Sequence, residues 1–162
     1  MKRILAVDPT PRGFGFAVIE DEPLRLIDWR VVECRRSATG SCAERLLGLI
    51  LDYEPSLLVT EGCSGQHARR CRTTHPFLKS VAKITQDVSI PLATFSPEEI
   101  RRAFALRGAF NKQQVAHLIA EGFPELARQL PKPRKAWMSE DYRMAIFDAV
   151  ALGVTSIKAC HQ

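Results

Sequence analysis

Apolar and polar positions along this chain fall into short blocks whose period changes from strand to helix and back. Ile4 to Val7 is an unbroken apolar run, the pattern of a fully buried strand, and it closes on an acid, Asp8. Pro9 and Pro11 are expected to stop that strand, and Gly13 and Gly15 to permit a tight turn. A second apolar run, Phe16 to Ile19, follows at hairpin distance. Leu24 to Val32 alternates roughly and is rich in β-branched residues, which predicts a third, antiparallel strand.

The period then lengthens. Ala43, Leu46, Leu47, Ile50 and Leu51 repeat at helical spacing from a start near Thr39, and Glu54-Pro55 ends that helix. Ser56 to Glu61 is again a short apolar strand closing on an acid. A helix between strands marks a crossover, so this strand should run parallel to the first. A polar, basic stretch from Cys63 to His75 leads into a helix with Phe77, Val81, Ile84 and Val88 on one face, and Ile90 to Phe95 reads as a fifth strand. Ser96-Pro-Glu-Glu99 is a capping box with Pro at the first helical position. Asn111 caps a further helix, with Val115, Leu118 and Ile119 inward. Pro131 to Trp137 is a basic, Pro-rich loop, after which Ser139 is expected to cap a last helix, with Glu140 and Asp141 in its first turn, running to about Lys158. The order predicts an α/β fold: one domain over residues 1–162, with a mixed sheet.

Composition narrows the class. The chain has 162 residues, 46% of them hydrophobic and 25% charged, as expected of a soluble globular domain. Its net charge of +5 favours a polyanionic partner. Met1-Lys2-Arg3 leads straight into a short strand rather than a signal peptide, and no apolar run approaches a membrane span, so a cytoplasmic location is expected. Five scattered cysteines are expected to be reduced thiols.

The candidate chemistry lies in three acids. Asp8 and Glu61 end two strands expected to be parallel neighbours, so their carboxylates can converge. Asp148 sits within a helix, Met144 to Ile157, that is apolar nearly all round and should pack on the same sheet. A carboxylate there is costly unless donors or a cation meet it. A structural Asp, hydrogen-bonded or paired with an Arg, is the alternative. Clustered acids repel, and Mg²⁺ or Mn²⁺ bound through carboxylate oxygens relieves the repulsion. Two such ions about 4 Å apart suit a phosphodiester displacement.

These residues carry a resemblance. Ile4-Leu-Ala-Val-Asp8-Pro-Thr-Pro-Arg12-Gly-Phe-Gly15-Phe-Ala-Val-Ile19 is similar to the first hairpin of the RuvC family of Holliday-junction endonucleases, within the RNase H-like superfamily. Leu57 to Glu61 resembles its second acidic strand, and Pro97-Glu-Glu-Ile-Arg-Arg followed by Asn111-Lys112-Gln-Gln-Val-Ala-His117 resembles a later segment. Phe147-Asp148-Ala-Val-Ala-Leu resembles its closing helix, so the similarity spans nearly the whole chain in order. It implies an RNase H-like fold, with a mixed five-stranded sheet and helices on both faces. It further implies a Mg²⁺- or Mn²⁺-dependent endonuclease acting on branched DNA in recombination and repair, and a homodimer. Asp8, Glu61 and Asp148 take metal-ligand positions, Lys112 matches a basic residue near the scissile phosphate, and Arg12 is a candidate DNA contact in the hairpin.

Departures from the family pattern bear on the fourth metal ligand and on junction specificity. Three residues before Asp148 the family carries an acid or a His; here the residue is Ala145, and Asp141 is the nearest substitute. Two readings of Asp141 stay open: too far along a helix begun at Ser139, or brought in by an unwound first turn. The family's aromatic after the second acid is absent, and Thr10-Pro11 replaces Gly-Ser in the turn. Arg69, Arg70 and Arg72 read either as a solvated face or as phosphate contacts. Arg134, Lys135 and Trp137 could grip and stack on nucleic acid, although Trp137 could equally seal the last helix. Cys63, His67, Cys71 and His75 are spaced by four, which makes a zinc tetrahedron only if the chain loops there, and otherwise reads as reduced thiols and loop histidines. Two other functions remain in view: a catalytically weak module that binds structured nucleic acid, and an RNA-processing or RNase H-type nuclease.

Overall fold

The computed structural model describes the backbone of residues 2–34, 39–62 and 68–161, and the side chains of all of these except 39–41 and 68–75. Cys63 and His67, and the side chains of Arg69, Arg70, Arg72, Cys71 and His75, lie outside that description.

Five strands form one sheet: β1 (Arg3–Thr10), β2 (Gly13–Glu20), β3 (Arg25–Glu33), β4 (Leu57–Glu61) and β5 (Leu92–Phe95), in the spatial order β3-β2-β1-β4-β5. The pairs β1–β2 and β2–β3 are antiparallel, and β1–β4 and β4–β5 are parallel. The helices are α1 (Thr39–Tyr53), α2 (Ala68–Asp87), α3 (Pro97–Ala105), α4 (Lys112–Gly122) and α5 (Met144–Cys160), with a 3₁₀ turn at Pro124–Gln129.

Side-chain alternation explains why β1 reads as an unbroken apolar run: both of its faces are covered. Leu5 and Val7, with Phe14, Phe16 and Val18 of β2, pack against Leu46 and Ile50 of α1 and Phe77 and Val81 of α2. The Phe14 and Phe77 rings stack with centroids 5.0 Å apart. On the opposite face Ile4, Ala6 and Val59 meet Leu152 of α5, while Ala17 and Ile19 join the core built by α4 and α5.

Four sequence expectations are corrected. β1 does not stop at Pro9; the hairpin ladder continues through Pro9↔Phe14 to Thr10↔Gly13. The parallel ladder to β4 ends at Val7↔Thr60, so Pro9's missing N–H costs that ladder nothing. Helix α2 begins at Ala68, which places most of the basic stretch on a helix with Pro76 inside it. Helix α5 begins at Met144, not at Ser139. The cysteines are not all reduced: Cys34 and Cys42 form a disulfide with Cα atoms 5.8 Å apart, tying the end of β3 to α1. The Ser96 capping box is present as expected, with both of its reciprocal hydrogen bonds. No described helix is long and apolar enough to cross a membrane.

Away from the acidic end of the sheet, the buried Glu20 at the end of β2 accepts from Arg3 at 2.7 Å and from Arg25 at 2.6 Å. Those guanidinium hydrogen bonds, Arg3's first, hold its carboxyl below the usual range. A depressed carboxyl stabilises the fold above its unfolded pKa and loses that contribution as pH falls through the lower folded value. Glu20→Gln should therefore lower the thermal midpoint at neutral pH and narrow the gap to wild type in acid, as read by melting curves across pH.

Candidate metal and nucleic-acid site

The acidic end of the sheet is built by register. The parallel ladder runs from Ile4↔Leu57 to Val7↔Thr60, so the next step sets Asp8 beside Glu61 on neighbouring strands. Alternation places Asp8 with Ile4 and Ala6, and Glu61 with Leu57 and Val59, on the face covered by α5.

Helix α5 reaches that point because Gly15, the cross-strand partner of Asp8, has no side chain. A Cβ at Gly15 would lie 2.4 Å from the Ala145 carbonyl oxygen, so the helix start rests directly on the hairpin backbone. Asp148 follows Ala145 by one turn on the same helix face. The result is a cavity of about 690 Å³ whose lining includes Asp8, Arg12, Glu33, Asp141, Ala145 and Asp148. Asp8 is only 1% exposed, and a carboxylate so buried demands donors or a cation.

Asp141 belongs to this cavity, and the first-turn reading is overturned. Its carboxylate accepts from the Arg143 backbone N–H at 2.9 Å and from the guanidinium Nε and NH2 at 3.0 and 2.7 Å. This local side-chain bonding competes with helix formation and holds residues 141–143 in a turn ahead of α5. The guanidinium hydrogen bonds keep the Asp141 carboxyl below its ordinary range.

Lys112, the first residue of α4 after the Asn111 cap, reaches across from another element. Its ammonium donates to Asp148 Oδ2 at 2.9 Å and to Glu140 Oε1 at 2.8 Å. Burial works against its charge, but the Asp148 carboxylate and the hydrogen bonds the ammonium donates to both acids outweigh burial and raise its pKa.

The structure thus brings together Asp8, Asp148, Asp141, Arg12 and Lys112. Glu61 stands on the neighbouring strand facing the same helix but does not line the cavity. Among the described residues no three His, Cys, Asp or Glu side chains are close enough together to hold a metal ion. Arg134 donates to the Met138 carbonyl at 2.6 Å, and the Lys135 ammonium lies 5.0 Å from the Trp137 ring centroid. Trp137 is 78% exposed and does not seal the last helix. Sequence reasoning missed Glu140 and Arg143, whose positions depend on a turn that the helical pattern concealed.

The chain is similar to known proteins along most of its length. The chain is 26% identical over 163 residues to a crossover junction endodeoxyribonuclease RuvC of Akkermansia muciniphila, covering 96% of this chain and 90% of that protein. This chain is RuvC-like. The RuvC of Halorhodospira halophila is 25% identical over 135 residues, which is 74% of the RuvC-like chain and 75% of that protein. Among solved structures, Thermus thermophilus RuvC in complex with a Holliday junction substrate superposes with a TM-score of 0.74 at 18% identity, over 99% of this chain and 96% of that one. The RuvC-like chain therefore has the RuvC, RNase H-like fold, as its motifs implied. No protein-family model matches it.

Proposed function

We propose that this chain is a metal-dependent endonuclease that cuts branched DNA such as Holliday junctions. The observation that carries the reading is the single cavity lined by both Asp8, at the end of a buried strand, and Asp148, on a buried helix that rests on the hairpin where Ala145 meets Gly15. The donor chemistry fits a hard divalent cation: the groups are carboxylate oxygens, and Asp148 and Glu140 already share a cation in the Lys112 ammonium. Metal dependence is a property of RuvC nucleases; Mg²⁺ or Mn²⁺ is the choice these oxygen donors suit. Asp8 and Asp148 would hold the ion, and Glu61 and Asp141 would become ligands only by being drawn toward it from the positions they hold here. A bound divalent ion supplies activation of the attacking water and neutralises charge on the departing oxygen.

The chain's own cations do the rest. Lys112 stands against Asp148, where its charge can meet the scissile phosphate. Arg12 lines the same cavity, and Arg134 and Lys135, with Arg69, Arg70 and Arg72 on α2, are assigned to the DNA backbone. A four-way junction is symmetric and requires two cuts, so a homodimer presenting two such cavities is part of the proposal. A cytoplasmic location is proposed with it.

The test is cleavage of a synthetic four-way junction against the matching linear duplex, with Mg²⁺ or Mn²⁺ and with EDTA. Metal-dependent nicking confined to the junction is expected. One observation favours a second reading, a nucleic-acid-binding module: Ala145 stands where the family carries a further acid or a His. Tight junction binding with no metal-dependent nicking would establish that reading instead. An RNA–DNA hybrid cut faster than the junction would move the assignment to an RNase H-type nuclease.

A further inference from the structure

A second cavity, of about 610 Å³, adjoins the acidic one: Ser139, Glu140 and Asp141 line both. Its wall is cationic, with Lys112, Lys132, Arg134 and Arg143 against Glu140 and Asp141. Lys112 and Arg143 are engaged by acids, whereas Lys132 and Lys135 form no ion pair among the described residues. Both are solvent-exposed, Lys132 in the cavity wall and Lys135 near it in sequence.

The segment on its rim carries apolar side chains that the core does not take. Trp137 is 78% exposed, Tyr142 67% and Met138 50%. Trp137 does not sit on a loose loop. The Met138 N–H donates to the Lys135 carbonyl at 3.0 Å, and Arg134 donates to the Met138 carbonyl, closing a short turn from which the indole projects. The Lys135 ammonium over the ring adds a cation next to the aromatic face. An exposed indole with Lys135 against its ring and Lys132 nearby in the chain, next to the cavity proposed to receive a phosphodiester, matches the chemistry of an unpaired nucleotide: a base to stack and a phosphate to neutralise.

We infer that the turn from Arg134 to Met138 is a subsite for an unpaired nucleobase, in which Trp137 stacks on a base opened at the branch of the DNA and Lys132 and Lys135 hold its phosphates. The inference rests on the proposed function, since it needs branched DNA in the neighbouring cavity. It goes further in assigning recognition of the branch to a turn next to α5 rather than to the sheet's acidic end.

The probe is a four-way junction with 2-aminopurine at the branch point, mixed with the protein in EDTA so that no cleavage intervenes. Wild type should change the 2-aminopurine fluorescence on binding. Trp137→Ala should abolish that change and weaken junction binding by about tenfold, the usual loss for one base–aromatic stack, with a smaller effect on linear duplex. Trp137→Phe should restore most of both. An equal fluorescence change and equal affinity in Trp137→Ala would overturn the inference and leave the nuclease assignment standing. A change in sedimentation with an unaltered 2-aminopurine signal would also overturn it, assigning the indole to a contact between copies. Stacking without metal-dependent nicking would uphold the subsite and sink the nuclease. No junction binding by wild type would sink both.

Discussion

Replacing Asp148 with Asn should lower junction cleavage by more than about 100-fold, since changes merely behind a metal ligand already cost 10–100-fold. The amide is nearly the same size, so α5 keeps its packing, but it binds a divalent ion poorly and cannot neutralise Lys112. Binding of the junction in EDTA should stay within a few-fold of wild type or tighten, because a negative group has left a surface that faces phosphate. Asp8→Asn should behave alike. Single-turnover cleavage beside fluorescence anisotropy separates the two effects. An Asp148→Asn protein that cuts within a few-fold of wild type would remove this acid from the site.

Gly15→Ala is the second large effect. The added methyl would lie 2.4 Å from the Ala145 carbonyl oxygen and 2.7 Å from its Cβ. Main-chain atoms cannot step aside as a flexible side chain can, so the start of α5 must lift from the hairpin. Overpacking of this kind costs about 1–3 kcal/mol, several degrees of melting temperature in a domain of this size. Lifting the helix also carries Asp148 away from Asp8, so cleavage should fall further than the stability loss explains. Gly48 in α1 is the control: a Cβ there meets nothing within 4 Å, and Gly48→Ala should leave melting and cleavage at or slightly above wild type. Equal effects at the two glycines would mean that the Gly15 approach does not position the acid.

Periodicity was most legible where burial is complete. β1 and β2 are covered on both faces, so their apolar runs could be read directly, and the caps at Ser96 and Asn111 were visible because their side-chain chemistry is local. Asp8, Glu61 and Asp148 could be singled out because each acid interrupts or closes an apolar pattern. What stayed hidden is bonding that a linear pattern does not encode. The extension of β1 through Pro9 depends on where its neighbour β4 ends. The late start of α5 depends on Asp141 closing on Arg143, two residues away, which no apolar period records. The Cys34–Cys42 disulfide arises because β3 and α1 are brought together in space.

The hydrogen bonds from the Lys112 ammonium to Asp148 and Glu140 carry a consequence for how this protein can be handled. Part of the pocket's negative charge is cancelled by an amine that the chain itself supplies, so reaching the native state does not require an ion from the medium. Exhaustive chelation should leave the protein folded, its melting temperature lower than in the presence of the ion only by what ion binding itself adds, and the purified protein should be storable without added salts of magnesium or manganese until the moment an assay begins.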